Sequence, residues 1–318
     1  MEKTRILIIG ATGNLGYHIA KASINASHPT FTLVRDSSFS DTLKRHKLHS
    51  LSDAGAIILK GSLEDERSLV EALTKVDVVI CAIPSKQVLS QKNLINAIKL
   101  LGSIKKFIPS EFGLDPDKVQ ISGMDNDFYS RKAEIRRIVE AQGIPHTYIC
   151  CNFFMSYLLP SLVQPGSKTP PRDKVTIFGD GNVKGVFVNE IDVAAFTISA
   201  VDDPRTLNKA MYLRPAGNVY SMNELVEDWE NKIGKELNKL YVSEEQLLTR
   251  IKETPYPQNM ELIFIYSAFI KGDQTYFDIE SSGGVEGTQL YPHLNYTTIS
   301  QFLDTLLKTS VPELKSQE

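Results

Sequence analysis

The sequence predicts an α/β protein built on a doubly wound parallel sheet. Three observations carry that expectation. Short β-branched runs alternate with amphipathic stretches across the first half, the runs are almost wholly apolar, and a glycine-rich turn joins the first run to the first amphipathic stretch. The expected strands are Arg5–Gly10, Thr30–Val34, Ala56–Leu59, Val76–Cys81, Lys105–Ile108 and His146–Cys150. Between them Asn14–Ala26, Asp41–Asp53, Glu66–Lys75, Gln87–Leu101 and Phe128–Gln142 set apolar residues three and four apart, the period of a helix with one buried face. Strands that lack alternation are covered on both sides, so helices must flank the sheet on both faces.

Beyond about residue 155 the rhythm fails. Leu159-Pro160, Gln164-Pro165-Gly166 and Thr169-Pro170-Pro171 interrupt it, and a smaller α/β lobe is expected over residues 156–318, after a first domain over residues 1–155. Val175–Phe178 and Val183–Val188 flank Gly179-Asp180-Gly181-Asn182 and read as a hairpin. Met222–Ile233 and Glu244–Glu253 read as helices around the single tryptophan, Trp229. Met211–Arg214 is expected to return to the first sheet as an edge strand, so that a segment near residues 188–215 joins the first domain and the lobes interleave. Ser310–Glu318 reads as a frayed polar tail.

Of 318 residues, 42% are hydrophobic and 23% charged, and 35 Lys and Arg against 38 Asp and Glu leave a net charge of −3. That balance speaks against a disordered chain and against a basic nucleic-acid surface. The three cysteines, Cys81, Cys150 and Cys151, make neither a disulfide framework nor a metal-ligand spacing, which points to a reducing compartment. Ile6–Ile9 is far shorter than a membrane span, and no later apolar run reaches the roughly 18 residues a span needs. The expected location is the cytoplasm, with no metal, membrane or nucleic acid bound.

Gly10-Ala11-Thr12-Gly13-Asn14-Leu15-Gly16 follows the first strand and opens the first helix, the context of a Rossmann dinucleotide site. The first glycine permits the tight turn, the second lets a pyrophosphate approach backbone N–H groups, and the third allows close helix–sheet packing. The second strand ends in Arg35, where an NAD site usually carries a carboxylate for the ribose 2′-hydroxyl. Arginine suits a 2′-phosphate, which makes NADPH the expected cofactor although Asp36 follows directly. Lys44, Arg45 and Lys47 would add charge there, and equally fit a solvated helix face.

Cys81-Ala82-Ile83-Pro84 and Pro109-Ser110-Glu111-Phe112-Gly113 end the fourth and fifth strands, where ligands bind in open α/β sheets. Ser110 and Glu111 also fit plain loop hydrogen bonding and capping. In Tyr129-Ser130-Arg131-Lys132 the tyrosine and lysine stand three apart, not the four a short-chain dehydrogenase needs. From periodicity alone Lys132, beside Arg131, Arg136 and Arg137, reads first as part of a solvated basic face.

Taken in order, Gly10–Gly16, His28-Pro29-Thr30 with Leu33-Val34-Arg35, Val76–Ile80, Lys106–Gly113, Lys132 with Ile135-Arg136-Arg137, Ile144–Tyr148, Gly179–Asn182 and Asp203–Lys209 resemble the plant isoflavone reductase-like family. That family lies within the NmrA-like atypical short-chain dehydrogenases and includes isoflavone, phenylcoumaran benzylic ether and pinoresinol–lariciresinol reductases and the eugenol synthases. The likeness spans almost the whole chain. It implies an NADPH-dependent reductase of phenylpropanoid-derived phenols, with Lys132 as general base and no role for Tyr129. In family terms Lys132 takes the proton of a substrate 4-hydroxyl, a quinone-methide-like shift expels a benzylic ether or side-chain group, and NADPH delivers hydride to the electrophilic carbon. Such a lysine must be desolvated in a closed apolar pocket.

By the same resemblance Phe154 falls beside the nicotinamide and Gln91 in a segment near the cofactor. The expected cofactor set is Gly10, Thr12, Gly13, Asn14, Leu15, Gly16, Arg35, Lys44, Ala82, Ile83, Ser110, Lys132, Asn152 and Phe154. The expected substrate set is Gln91, Met124, Phe153, Leu158 and Phe264, with Leu159 and Phe269 as further lining. Ordinary core packing competes with both roles at Phe153, Phe154 and Met155. Asn152 stands where isoflavone reductases carry histidine after the paired cysteines, which favours benzylic ether chemistry. Val119–Asp127 replaces a family loop, and Asn14-Leu15 an aromatic-isoleucine pair, so specificity and cofactor packing are expected to differ. The alternatives are reductive displacement on an acylated monolignol, a non-catalytic NADP-sensing regulator, and an ordinary short-chain alcohol dehydrogenase. Lys132 argues against the sensor and the Tyr129 spacing against the dehydrogenase. A monomer or homodimer acting on a small phenol is expected.

Overall fold

The computed structural model describes residues 3–121 and 123–309; Ser122 of the altered loop and the Ser310–Glu318 tail lie outside the described residues. The chain runs β1 (Ile6–Ile9), α1 (Asn14–Asn25), β2 (Thr30–Val34), α2 (Ser37–Ser40), α3 (Thr42–Asp53), β3 (Ile57–Lys60), α4 (Glu66–Leu73), β4 (Val78–Cys81), α5 (Gln91–Leu101), β5 (Lys106–Ile108), α6 (Phe128–Ala141) and β6 (Thr147–Cys150). It continues through β7 (Phe153–Phe154), α7 (Met155–Leu158), β8 (Lys174–Phe178), β9 (Lys184–Val188), α8 (Glu190–Ser199), β10 (Lys209–Tyr212), β11 (Val219–Ser221) and α9 (Met222–Ile233). Last come β12 (Asn238–Val242), α10 (Glu244–Glu253), α11 (Met260–Tyr266), β13 (Val285–Glu286), α12 (Gly287–Leu290) and α13 (Ile299–Thr309).

Five strands pair in the order β3-β2-β1-β4-β5, all parallel. A parallel bridge from Phe107 to His146 leads on to β6, and β10 and β13 follow it in parallel. Chain direction across the sheet reverses between β1 and β4, and that switch point opens a crevice beyond the strand ends. Every residue of β1, β4, β5 and β6 is buried, as two-sided cover requires, whereas β3 at the rim exposes Ile57 and Lys60.

Three sequence expectations are corrected. Val175–Phe178 and Val183–Val188 form no hairpin. β8 pairs in parallel with β12, while β9 pairs antiparallel with β11 and parallel with β7. The turn between them diverts the chain instead, with Gly179 and Gly181 at φ +67° and +76°, and α9 pins it as Asn223 donates to Asp180 O and Asn182 Oδ1. The segment at Met211–Arg214 is not an edge strand, because β13 covers β10 on its outer side. Two residues of β13 are too few to show a period. Finally, the helix expected from Gln87 starts at Gln91, after a 3-10 turn over Ser85–Ser90.

The α8 helix was invisible to periodicity because Val193, Ala194, Phe196, Thr197 and Ile198 leave it little polar face. Asn189 caps its start by accepting from Ile191 N, and it packs on α1 through the cluster that holds Ile19, Ala20, Val193 and Phe196. Lys106 of β5 seals its other end. The ammonium donates to Ala200 O at 2.6 Å, Asp203 O at 3.0 Å and Thr206 Oγ1 at 3.1 Å, and burial pulls its pKa down to about 8. The remaining lobe has its own core around Trp229, Phe178, Phe187 and Phe269. Among the described residues no helix is long and apolar enough to cross a membrane, and no group of three His, Cys, Asp or Glu is placed to hold a metal.

Candidate active site

A crevice of about 300 Å³ opens at the switch point, lined by Gly10–Gly13, Arg35, Lys44, Gly61, Ser62, Ala82, Ile83 and Lys86. Packing dictates its glycines. Gly10 sits at φ +93°, and a Cβ there would fall 2.2 Å from Ala82 O; a Cβ on Gly16 would fall 2.2 Å from Gly10 O. Gly13 precedes α1 with no side chain capping the helix, so first-turn N–H groups are left for an anion. Arg35 enters from the end of β2, while the neighbouring Asp36 carboxylate turns to Lys60 at 3.4 Å. Lys44 enters from α3, paired with Asp41 at 3.4 Å, and Lys47 donates to Gly13 O at 3.1 Å. Uncapped N–H groups, with Arg35 and Lys44 both lining the ribose end, fit a 2′-phosphorylated dinucleotide, NADPH, and not NAD.

Behind the crevice Ser110 stitches two loops together. Its Oγ donates to Ile83 O at 2.8 Å and accepts from Ile83 N at 3.1 Å. Its N–H donates to Gln91 Oε1 at 2.7 Å, and Gln91 Nε2 donates to Val88 O at 3.0 Å. Gln91 is fully buried, so it supports the Ser110 loop and does not reach an open cavity.

Lys132 departs most from periodicity: the solvated basic face is absent at this position. Arg131 and Arg137 do face outward, onto Asp127 and Asp117, but Lys132 and Arg136, one turn apart, are buried. Lys132 Nζ donates to Glu111 O at 2.6 Å and stands 4.8 Å from the Phe128 ring centre and 6.0 Å from that of Tyr129. Burial draws its pKa below the usual lysine range, against the opposing pull of Glu111. Tyr129 is enclosed and burial pushes its hydroxyl far up, so it is a poor acid. Tyr129 is thus poorly suited to acid chemistry, while Lys132 is buried beside Phe128 and lines neither the cofactor crevice nor the aromatic cavity next to it.

A second cavity of about 190 Å³ adjoins, lined by Phe128, Arg131, Tyr256, Met260, Phe264, Asp125, Asn126, Ser85 and Lys86. Lys86 lines both spaces, which places the aromatic cavity next to the cofactor crevice. Of the expected substrate residues, Phe264 lies on this cavity. Phe153, Leu158, Leu159 and Phe269 do not: all are buried in the lobe core, with Met124 half-buried against it. Asp125 and Asn126 bring the altered loop to one side of this cavity. Asp125 accepts from Tyr129 N at 2.8 Å, and Gln120 is clamped by Asp273, its N–H at 3.1 Å and its Nε2 at 2.9 Å.

Thr12, Ala82 and Ile83 line the crevice; Leu15 and Phe154 are half-buried against the sheet core. Asn14 donates to Glu190 at 3.4 Å, and Glu190 also accepts from Ser156. Asn152 sits at φ +59° and donates to Leu213 O at 3.0 Å. Lys86, Phe128, Tyr256 and Met260 were missed. Phe128, Tyr256 and Met260 have an apolar spacing indistinguishable from core, Lys86 reads as an ordinary surface lysine, and the three segments that meet lie far apart in the chain.

A model of the NmrA-like family matches residues 2–303. The chain is 65% identical over 306 residues to a protein of Arabidopsis thaliana named probable pinoresinol-lariciresinol reductase 3, covering 96% of this chain and 98% of that one. It is 53% identical to a phenylcoumaran benzylic ether reductase of Ginkgo biloba, covering 96% and 99%. The solved structure of AtPrR2 with NADP+ and (+)pinoresinol superposes with a TM-score of 0.92 at 38% identity, covering 96% and 99%. The chain therefore belongs to the NmrA-like family, and within it to the isoflavone reductase-like enzymes that use NADPH.

Proposed function

We propose that the chain reduces a phenolic benzylic ether of the lignan or phenylcoumaran type, with Lys132 as general base. The observation that carries this reading is the Lys132 side-chain amine: buried, hydrogen-bonded to a main-chain carbonyl, and with its pKa drawn down by that burial. Burial favours the neutral amine, whose lone pair can accept a phenol proton. Residues 1–155, with the segment near 188–215 and with β13 and α12 packed beside it, form the cofactor body, and the rest of the described residues beyond 155 form the lobe that covers the substrate.

Gly10, Thr12, Gly13, Arg35 and Lys44 hold the dinucleotide, and Ser110 and Gln91 keep the Ile83 loop in place against it. NADPH, when bound, supplies the hydride. One substrate ring enters between Phe128, Tyr256 and Phe264, which exclude water and leave the phenol hydroxyl to Lys132. As Lys132 Nζ takes that proton, the oxygen lone pair moves through the ring and the benzylic C–O bond breaks. Both electrons of that bond leave with the ether oxygen, which takes up the one proton from solvent that the overall reduction consumes. Hydride at the benzylic carbon returns the ring to a phenolate, and the proton held on Lys132 neutralises it. The names of the two relatives, both reductases of benzylic ethers, and Asn152 in place of histidine support this substrate class over an isoflavone. We take the working form to be a monomer or homodimer and its compartment to be the cytoplasm, where three free, buried cysteines suit a reducing environment.

The test is deuterium transfer from C4-labelled NADPH to a panel of pinoresinol, a phenylcoumaran, an isoflavone and coniferyl acetate, read by mass spectrometry beside Lys132→Ala. Label at a benzylic carbon of one of the first two, lost in the variant, is expected. Label in coniferyl acetate product alone moves the enzyme to reductive displacement of acetate. No label in any product, with NADPH binding intact, overturns the proposal and favours a cofactor sensor.

A further inference from the structure

Behind Lys132 lies a cluster of enclosed charge that the mechanism above does not use. Arg136 donates through Nε to Glu111 Oε1 at 2.6 Å and through Nη2 to Glu111 Oε2, so its guanidinium grips both oxygens of one carboxylate. Its Nη1 donates to Asp115 at 2.6 Å and to Asp117 at 3.0 Å. The ring of Tyr148 stacks 4.4 Å away, and the hydroxyl of Tyr212 donates to the second oxygen of Asp115. Glu111, Asp115 and Arg136 are each buried. Apolar side chains of the same volume would stabilise the fold as well as this cluster does, since desolvating charges offsets most of their attraction. What apolar side chains could not do is fix a backbone carbonyl in one direction, and the residue so fixed is the one whose carbonyl receives Lys132.

We propose that Glu111 is a positioning residue for Lys132: gripped at both oxygens by Arg136, it holds its own main-chain carbonyl as the seat of the Lys132 amine and so aims the remaining valences of Nζ at the substrate hydroxyl. The inference rests on Lys132 as the base. The groups that face Lys132 are Glu111 from the loop after β5, Cys150 and Cys151 from the end of β6, and Tyr129 and Arg136 from α6. Burial keeps both cysteines as thiols, so Glu111 and Arg136 are the charges that matter. Glu111 favours the protonated amine and Arg136 the neutral one.

The experiment is the pH profile of kcat for Glu111→Gln, with thermal melting and NADPH titration beside it. Glutamine keeps the carbonyl and the volume but loses the charge and one arm of the grip. Removing the negative charge lowers the Lys132 pKa, so the acid limb of kcat moves to lower pH. The loosened seat cuts the plateau kcat roughly tenfold or more, with KM and NADPH affinity near the wild-type values. Glu111→Asp, which keeps the charge but withdraws the carboxylate, lowers the plateau with the limb in place, and it serves if the glutamine variant fails to fold. Asp173→Asn, which breaks an exposed ion pair with Lys235 away from this cluster, leaves both limb and plateau unchanged. A folded Glu111 variant with wild-type limb and plateau overturns the inference, as does a loss of melting temperature with no kinetic change. Lys132→Ala separates the two failures. If that variant is inactive while Glu111→Gln is normal, only the positioning role falls; if it stays active, the base itself was misassigned.

Discussion

The two spaces that meet at Lys86 are built in different ways. The cofactor crevice is made largely of backbone: Gly10, Gly13, Ala82 and Ile83 come from the ends of β1 and β4, neighbours in the sheet. The aromatic cavity is made of side chains, Phe128 from α6, Phe264 and Met260 from α11, and Tyr256 from the turn before it. A backbone site needs particular residues at fixed spacing, because only glycine fits the close approaches. A side-chain site needs bulk, which leucine, phenylalanine or methionine supply from many spacings. The first kind therefore writes a motif into the sequence and the second does not.

The sharpest way to break that contrast is Gly10→Ala. Its Cβ would overlap the Ala82 carbonyl at 2.2 Å in a conformation, φ +93°, that alanine rarely adopts, and the listener on the other side is main chain that cannot rotate away. The expected outcome is loss of NADPH binding by fluorescence titration, together with a lower melting temperature. Gly283→Ala is the comparison: φ is +77° but nothing lies within 4 Å, so the cost is the left-handed strain alone, about 1 kcal/mol. Wild-type NADPH affinity in Gly10→Ala would mean that the crevice is not set by its backbone.

Arg35→Ala ranks next. Loss of paired, charge-assisted bonds to a 2′-phosphate weakens NADPH by about 100-fold and leaves NADH nearly unchanged, so the ratio of the two dissociation constants is the measurement. Equal weakening of both cofactors would place Arg35 on the adenine and not on the phosphate.

The same contrast explains what the sequence shows of this molecule. The β1 to α1 glycine loop, Arg35 and the central strands were legible, since each is a local pattern with one physical cause. The expectation for Lys132 came only through family likeness: its own neighbours, Arg131, Arg136 and Arg137, spell a solvated face, and only the fold reveals that Lys132 and Arg136, four apart, turn inward onto Glu111. The hairpin failed at Gly179–Asn182 because a turn-forming cluster states that the chain bends but not whether its flanking strands pair with each other. Leu158 and Phe153 failed because substrate lining and core ask for the same apolar residues, and here both are core.

Phe264→Ala sharpens the side-chain half of the comparison and carries the smallest effect. Phe264 is partly buried, edge-on to Phe128 at 5.2 Å and to Tyr129 at 6.2 Å, and borders open cavity on its remaining face. Truncation opens the cavity wall and also removes the ring contacts to Phe128, Tyr129 and Tyr157, so a lower melting temperature accompanies it. A bound ring loses one aromatic face, roughly 1 kcal/mol, which raises KM for the aromatic substrate about fivefold at unchanged kcat and unchanged NADPH affinity. A fall in kcat with constant KM would instead mean that Phe264 acts through Phe128 and Tyr129 on Lys132, whose amine lies 4.8 Å from the Phe128 ring. The cavity would then be part of the catalytic support and not a receptacle for substrate.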